Sequence, residues 1–411
     1  MEKAILHCDM NNFYASVECM LDPSLREHPV AVCGSVEERH GIVLAKNYKA
    51  KAYRVQTGDA VWQAKEKCPG LVVVPPHYEE YIKYSRLARE IYSRYTEQVE
   101  PYGMDECWLD VSGTTALFGT PEEIADRLRA TVKFELGLTI SVGVSFNKVF
   151  AKLGSDLKKP DAVTVIRKES FRDQIWKLPA EDLLGVGPAT GRVFHRVGIH
   201  TIGDLAQTDP RYLRSWLGKN GELLWRFANG NDLSLVAKKD FIPPIKSVGH
   251  GITTVADLET PEQVWTVILE LTQDIGHKLR SHGLSARGVA IHIRDNTLET
   301  RQWQTQLGIP TQASVILARS AFELFRKTYS WRRPIRSVTV QAISLIPQDM
   351  PWQASLFVDT EKLEKLERLE RCVDDIRRRF GKNSIRQGIL LRGAYMPPEK
   401  AEITMPAGMI H

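Results

Sequence analysis

Apolar and polar residues alternate over KAILHCD (3–9), which predicts a first strand that ends on an acid. A segment at 11–75 follows, with the apolar stretches PVAVCG, GIVLAKNYKAKAYRV and LVVVPP. From Tyr78 to about Gln98, Tyr81, Tyr84, Leu87, Ala88 and Ile91 fall on one helical face. VEPYGMDECWLDVSG (99–113) reads as two short strands around a tight turn at Met104–Glu106. Thr120-Pro121-Glu122-Glu123 carries the marks of a helix start: Thr as N-cap, Pro at the first helical position, acids in the first turn. That helix runs to Gly137, and LTISVGVSF (138–146) is a further strand. With 11–75 set aside, the order is strand, helix, strand, strand, helix, strand, the ferredoxin-like split βαβ order.

The same order recurs later. IKSVGHGITT is a strand, Thr260-Pro261-Glu262 opens a helix reaching about His282, and RGVAIHIRD and RQWQTQLGI are strands. TQASVILARSAFELFRKTY is a helix and IRSVTVQAISLI a strand. The two units share architecture without obvious sequence identity. Between them, 166–240 reads as short helices ending in the polar, Pro-containing link VAKKDFIPPIK. Past 350 come a turn-rich piece and a charged amphipathic helix, TEKLEKLERLERCVDDIRRRF, which either packs back on the body or meets a partner.

Composition adds limits. With 411 residues, 43% apolar and 26% charged, the chain is a multi-domain globular protein. No apolar run reaches membrane-spanning length and MEKAILHCDMNN lacks a signal-peptide core, so a cytoplasmic protein without membrane contact is expected. The six cysteines are scattered without a CxxC pair, which argues against a disulfide framework or zinc site. Residues 1–165 carry 20 Lys/Arg against 23 Asp/Glu, and the remainder 35 against 27. An acidic front and a basic remainder suit a metal-dependent site joined to something that grips a polyanion.

Asp9 at a strand end and Asp105 with Glu106 in a hairpin turn are the acids that such a site needs. Their meeting is expected because the first strand should lie beside the one after the first helix. Three close carboxylates repel unless hard cations neutralise them, and magnesium favours oxygen ligands of this kind. Two ions about 3.5–4 Å apart would serve an in-line phosphoryl transfer. Nucleotidyl-transferring polymerases and nucleotide cyclases both fit such a sheet, and a DNA-binding protein without chemistry is a third reading.

CDMNNFYASVE (8–18), NYKAK (47–51), YGMDECWLDVSG (102–113) and SVGVSFNKVFAKLGSDLKKP (141–160) resemble the Y-family translesion DNA polymerases of the UmuC/DinB type, in order over about 3–350. The resemblance implies an α+β right-hand polymerase. Its ferredoxin-like palm would be 1–10 with 76–165, its fingers 11–75, its helix-hairpin-helix thumb 166–235, its linker 236–244 and its little finger 245–348, with a tail at 349–411. It further implies two Mg2+ ions held by Asp9, Asp105, Glu106 and the backbone carbonyl of Met10. Tyr14 matches the steric gate against a 2′-hydroxyl, with Phe13 beside it either in the pocket or in the core. Tyr48 and Lys51, at i and i+3, match positions that hold the triphosphate, as does Lys159; Lys51 stands where Arg is commoner and lacks its bidentate geometry. Lys148 and Lys152 read as structural or solvated. Many DinB-type members carry an acid where this chain has Asn11, as UmuC-type members do.

For the grip on DNA, LLGVGPATGRVFHRVGIHTIGDLA (183–206) looks like a helix-hairpin-helix. Its Gly185-Val186-Gly187 turn would bring backbone N–H groups to a phosphate. Arg332, Arg333 and Arg336 cluster at the last strand of the second unit, where salt-sensitive backbone contacts are expected. QASLF (353–357) resembles the peptide by which bacterial polymerases dock on a sliding clamp, with Gln353, Leu356 and Phe357 as anchors. Partners implied are primer-template DNA, deoxynucleoside triphosphates, the clamp and an accessory subunit of the kind that some UmuC-type enzymes need.

Overall fold

The fold was obtained as a computed structural model that describes residues 3–36, 39, 41–353 and 359–392. The described residues divide into two compact units, 3–34 with 42–243, and 35, 36, 39 and 41 with 244–353 and 359–392.

In the first unit, β1 (Ile5–Met10) is buried at all six positions and leads through a left-handed Asn12 into α1 (Phe13–Leu21). The insertion then builds a small three-stranded sheet from β2 (Val30–Cys33), β3 (Val43–Lys46) and, past α2 (Tyr48–Ala52) and α3 (Val61–Lys67), β4 (Val72–Val74). Its core is Ala31, Cys33, Val43, Ala50, Val55, Val61, Ala64, Cys68 and Leu71. α1 instead buries Phe13, Ala15 and Val17 in the core of the larger sheet.

That larger sheet resumes with α4 (Tyr78–Tyr92), β5 (Val99–Tyr102) and β6 (Glu106–Asp110). α4 ends six residues short of Gln98 because the chain turns there: the Thr96 hydroxyl donates to Asp110 O and accepts from Gln98 N. Next come α5 (Thr115–Phe118), α6 (Pro121–Leu136), β7 (Ile140–Ser145), α7 (Lys148–Leu157) and β8 (Val163–Ile166). α6 starts on the expected Thr120 N-cap, which the structure completes as a capping box with Glu123, and stops at Gly137, whose φ of 68° suits a residue without Cβ.

The strand order is β5-β6-β1-β7-β8. β1 therefore lies beside the second strand of the hairpin, not beside the strand after the first helix as the sequence reading has it. The helical crossover carries the chain past one strand position, and the hairpin turn brings β6 back into the gap. β8, parallel to β7, is a fifth strand that the alternation did not show.

Helices α8 (Phe171–Ile175), α9 (Pro188–Arg196), α10 (Ile202–Gln207), α11 (Pro210–Leu217) and α12 (Lys219–Ala228) close a separate core around Phe150, Phe194, Ile202, Leu213 and Leu224.

The second unit contains β9 (Ser247–Leu258), α13 (Pro261–Ser281), β10 (Leu284–Asp295), β11 (Thr300–Thr311), α14 (Ser314–Thr328) and β12 (Ile335–Pro347). Its all-antiparallel sheet runs β11-β10-β12-β9. Element order repeats that of the first unit, but sheet order does not: here the first strand is an edge, there it is central. The charged helix α15 (Thr360–Phe380) packs back on this unit. Arg280, only 8% exposed, pairs with Glu370 and with Asp374 at 2.5 Å, and Arg377 donates to Gln273 at 2.6 Å.

Candidate active site

Asp9 sits directly opposite Glu106 in the β1–β6 register and opposite Ser141 in the β1–β7 register. Met10 N donates to Asp105 O at 3.0 Å, closing the hairpin turn onto the end of β1. The turn itself is allowed by Gly103 at φ 75°. Three carboxylates thus meet at one end of a rigid sheet, and two lysines from the α7 region answer them. Lys159 Nζ is 2.8 Å from Asp9 Oδ2 and 2.8 Å from Asp156 Oδ1, and Lys152 pairs with Glu106.

Of the two readings of Lys152, structural or solvated, its ion pair with Glu106 removes the solvated one. Lys148 is structural, paired with Glu100 at 2.6 Å and lying 4.4 Å from the Trp108 ring centre. Sequence reasoning also missed His7, fully buried, with Nδ1 2.8 Å from Ser155 Oγ. Its Nε2 lies 3.1 Å from Glu106 Oε2 but off a good hydrogen-bond direction.

Electrostatics follow from burial. Asp9 is pushed up to about 7 by desolvation, with Lys159 opposing and Glu106 and Asp105 adding to the rise. Asp105 rises to about 6 by burial and then by repulsion from Glu106. For Glu106 burial works the same way, but the His7 imidazole and Lys152 outweigh it and its pKa falls to about 2. Among the described residues no three His, Cys, Asp or Glu side chains already surround one point as a metal cage. The lysines hold the oxygens that ions would need. The donor set nonetheless fits hard divalent cations, since every candidate ligand is oxygen and the cluster remains short of positive charge.

Tyr14 stacks on Tyr81 with ring centres 4.1 Å apart and planes 9° apart, and its hydroxyl donates to Met104 Sδ at 3.2 Å. Burial lifts its phenol to about 12, with Tyr78 and Asp105 contributing. Phe13 is 3% exposed and enters the site only by packing on Tyr14 and Tyr81. The Met10 side chain is likewise in the core. Tyr48 starts α2, which Asn47 caps by accepting from Ala50 N. Burial raises its phenol, and the charges of Lys159 and Asp9 act on it in opposite directions. Lys51 Nζ lies 5.6 Å from the Tyr48 ring centre, on the shared face.

The other sequence-selected residues lie elsewhere. Gly185 takes φ 93°, Val186 is buried, and Gly187 precedes α9 as its N-cap residue without a side-chain cap, leaving that helix end to outside acceptors. Arg333 is engaged by Thr297 at 2.5 Å, Arg336 is half-buried, and Arg332 is exposed. Gln353 is exposed, while Leu356 and Phe357 lie outside the described residues.

The profile of the impB/mucB/samB family matches residues 8–156, and that of the family's C-terminal domain matches 245–356. The chain belongs to the impB/mucB/samB family. Among members of this family, DNA polymerase IV of Acetivibrio thermocellus is 53% identical over 392 residues, 95% of this chain and 98% of that protein. DNA polymerase IV 1 of Bacillus subtilis is 36% identical, covering 95% of this chain and 94% of its own length. A solved Y-family DNA polymerase chimera of Dbh and Dpo4 has the same fold, with a TM-score of 0.73 at 21% identity, covering 84% of this chain and 99% of that one. These relatives carry the name DNA polymerase IV, whereas Asn11 read alone points to the UmuC side. Matches running through both units leave the cyclase reading without support. Among the described residues no helix is long and apolar enough to cross a membrane.

Proposed function

We propose that this chain is a template-directed DNA polymerase of the translesion type, extending a primer 3′ end by nucleotidyl transfer at Asp9, Asp105 and Glu106. The observation that carries the reading is the β1–β6 register, which sets Asp9 against Glu106 beside Asp105, with Lys159 paired to Asp9. The relatives' shared title of DNA polymerase IV supports it over nearly the whole chain.

Asp9, Asp105, Glu106 and the Met10 carbonyl would hold two Mg2+ ions. When bound, these supply charge stabilisation to the attacking and leaving oxygens of the in-line displacement. Tyr48, Lys51 and Lys159 hold the triphosphate, Lys159 as a point charge swung from Asp9 to phosphate. The Tyr14 ring, fixed by its stack on Tyr81, sits under the sugar and excludes a 2′-hydroxyl by clash. The palm is 1–10 with 76–165, and the fingers are only 65 residues (11–75), leaving little structure to test base-pair shape. Low fidelity without proofreading follows. The uncapped start of α9 at Gly187 takes a DNA phosphate, the second unit adds backbone contacts through Arg332, and QASLF meets the sliding clamp in the cytoplasm.

The test is primer extension on templates with and without an abasic site, comparing wild type with Glu106→Ala. Extension past the lesion by wild type alone supports the reading. A wild type that extends no primer, even with clamp and accessory protein added, refutes it.

A further inference from the structure

Lys159 is carried by a turn, beyond the end of α7 at Leu157. A long ammonium side chain on a loose turn would lose much of its worth to ordering entropy. This turn is tied from three sides. Asn11, just past β1 and 2% exposed, accepts the Asp161 N–H on Oδ1 at 2.9 Å and donates from Nδ2 to the buried Ser141 Oγ at 2.9 Å. The Asp161 carboxylate takes Arg129 of α6 at 2.9 Å on one oxygen and Lys133 at 2.8 Å on the other. Arg129 also donates to Asp161 O at 3.3 Å. Asp161 itself has φ 52°, a left-handed conformation that an L residue keeps when its surroundings impose it.

We propose that Asn11 and Asp161 form a clasp whose job is to set Lys159 for the incoming triphosphate, which makes Asn11 a positioning residue acting through Lys159. The inference rests on the polymerase reading above. The amide at position 11 does what no apolar residue can, since it answers an N–H with its oxygen and a hydroxyl with its nitrogen at once. Removing it leaves the Asp161 N–H and the Ser141 hydroxyl without that partner, and the turn carrying Lys159 gains freedom. Nothing in this chain asks Asn11 to be a metal ligand, because both ends of its side chain are already committed.

The experiment is a double-mutant cycle read in steady-state primer extension at saturating primer-template, with deoxynucleotide varied. Asn11→Ala is expected to raise the nucleotide KM about tenfold while kcat changes less than about threefold. Lys159→Ala raises KM as well, and Asn11→Ala added to it brings no further rise. An equal rise in both backgrounds overturns the clasp, because a merely structural role does not depend on Lys159. An unchanged KM in Asn11→Ala also overturns it. If Asn11→Ala fails to fold, Asp161→Asn loosens the same turn from its solvent side and is read by the same two outcomes. A wild type that extends no primer sinks the polymerase reading; a wild type that extends while Lys159→Ala keeps its KM sinks only the role of Lys159 and its clasp.

Discussion

Asp9 and Glu106 face each other across a position where β1 and β6 exchange no backbone hydrogen bonds, since Met10 N, one residue on, bonds Asp105 O. Such pairs bring side chains on one face closest together, Cα atoms about 4.5 Å apart. Two carboxylates there oppose folding, and the fold answers with Lys159 on one and Lys152 on the other.

Removing one of these acids should therefore separate activity from stability. Glu106→Ala or Asp105→Ala lowers primer extension by about a thousandfold or more. The melting temperature stays within a few degrees, because lost repulsion offsets lost ion pairs. Extension rates and thermal melts on the same preparations check this, and near-wild-type extension would remove the two acids from the chemistry.

Tyr14 offers a cleaner division. Tyr14→Ala should raise ribonucleotide incorporation relative to deoxynucleotide on the order of a hundredfold. Tyr14→Phe keeps the ring on Tyr81 and loses only the bond to Met104, so its sugar selectivity should stay near wild type. Competition assays with the two nucleotide types decide it.

Much of this was legible in the sequence, and the exceptions have physical causes. Asp9, the Thr120 cap and the Gly137 stop announce themselves locally, because strand ends and helix caps have their own chemistry. Which strand lies beside β1 is set by crossover geometry over a hundred residues, and the same element order gives two different sheets in the two units. Lys152 was obscured because a lysine on a helix looks the same whether it meets water or Glu106. Val163–Ile166 is too short, and two of its four residues are only half-buried, for alternation to mark it.

Gly143 fixes how closely α7 lies on the sheet. A Cβ there would sit 1.8 Å from Ala151 O and 2.5 Å from Ser155 N. Gly143→Ala must push α7 outward, at about 3 kcal/mol. Since α7 carries Lys152 and leads to Lys159, activity at permissive temperature should fall as well. Chemical denaturation and primer extension measure the two effects.

Attachment of α15 should depend on pH. His277 is raised above its ordinary value by its hydrogen bond with Asp374. Asp374, despite burial, is held down to about 2 by His277 and Arg280. A raised histidine contributes fully below its unfolded pKa of about 6.5 and loses that contribution as pH rises through the folded value. Amide protection in 361–380, relative to intrinsic exchange at each pH, should fall from about pH 6 to pH 8, and His277→Gln should flatten the change. Arg280→Ala, which strands two half-buried acids, should destabilise the helix by about 3 kcal/mol at any pH in that range.

The placement of β1 has a consequence for how the protein is made. All six of its residues are buried, yet its partners are Glu106–Asp110 on one side and Ile140–Ser145 on the other. On the ribosome, β1 must wait for about a hundred further residues before β6 exists, and longer for β7. Meanwhile the insertion can close its own small core independently. The nascent chain therefore holds an unpaired apolar segment, and assembly of the carboxylate cluster is among the last events of that unit's folding.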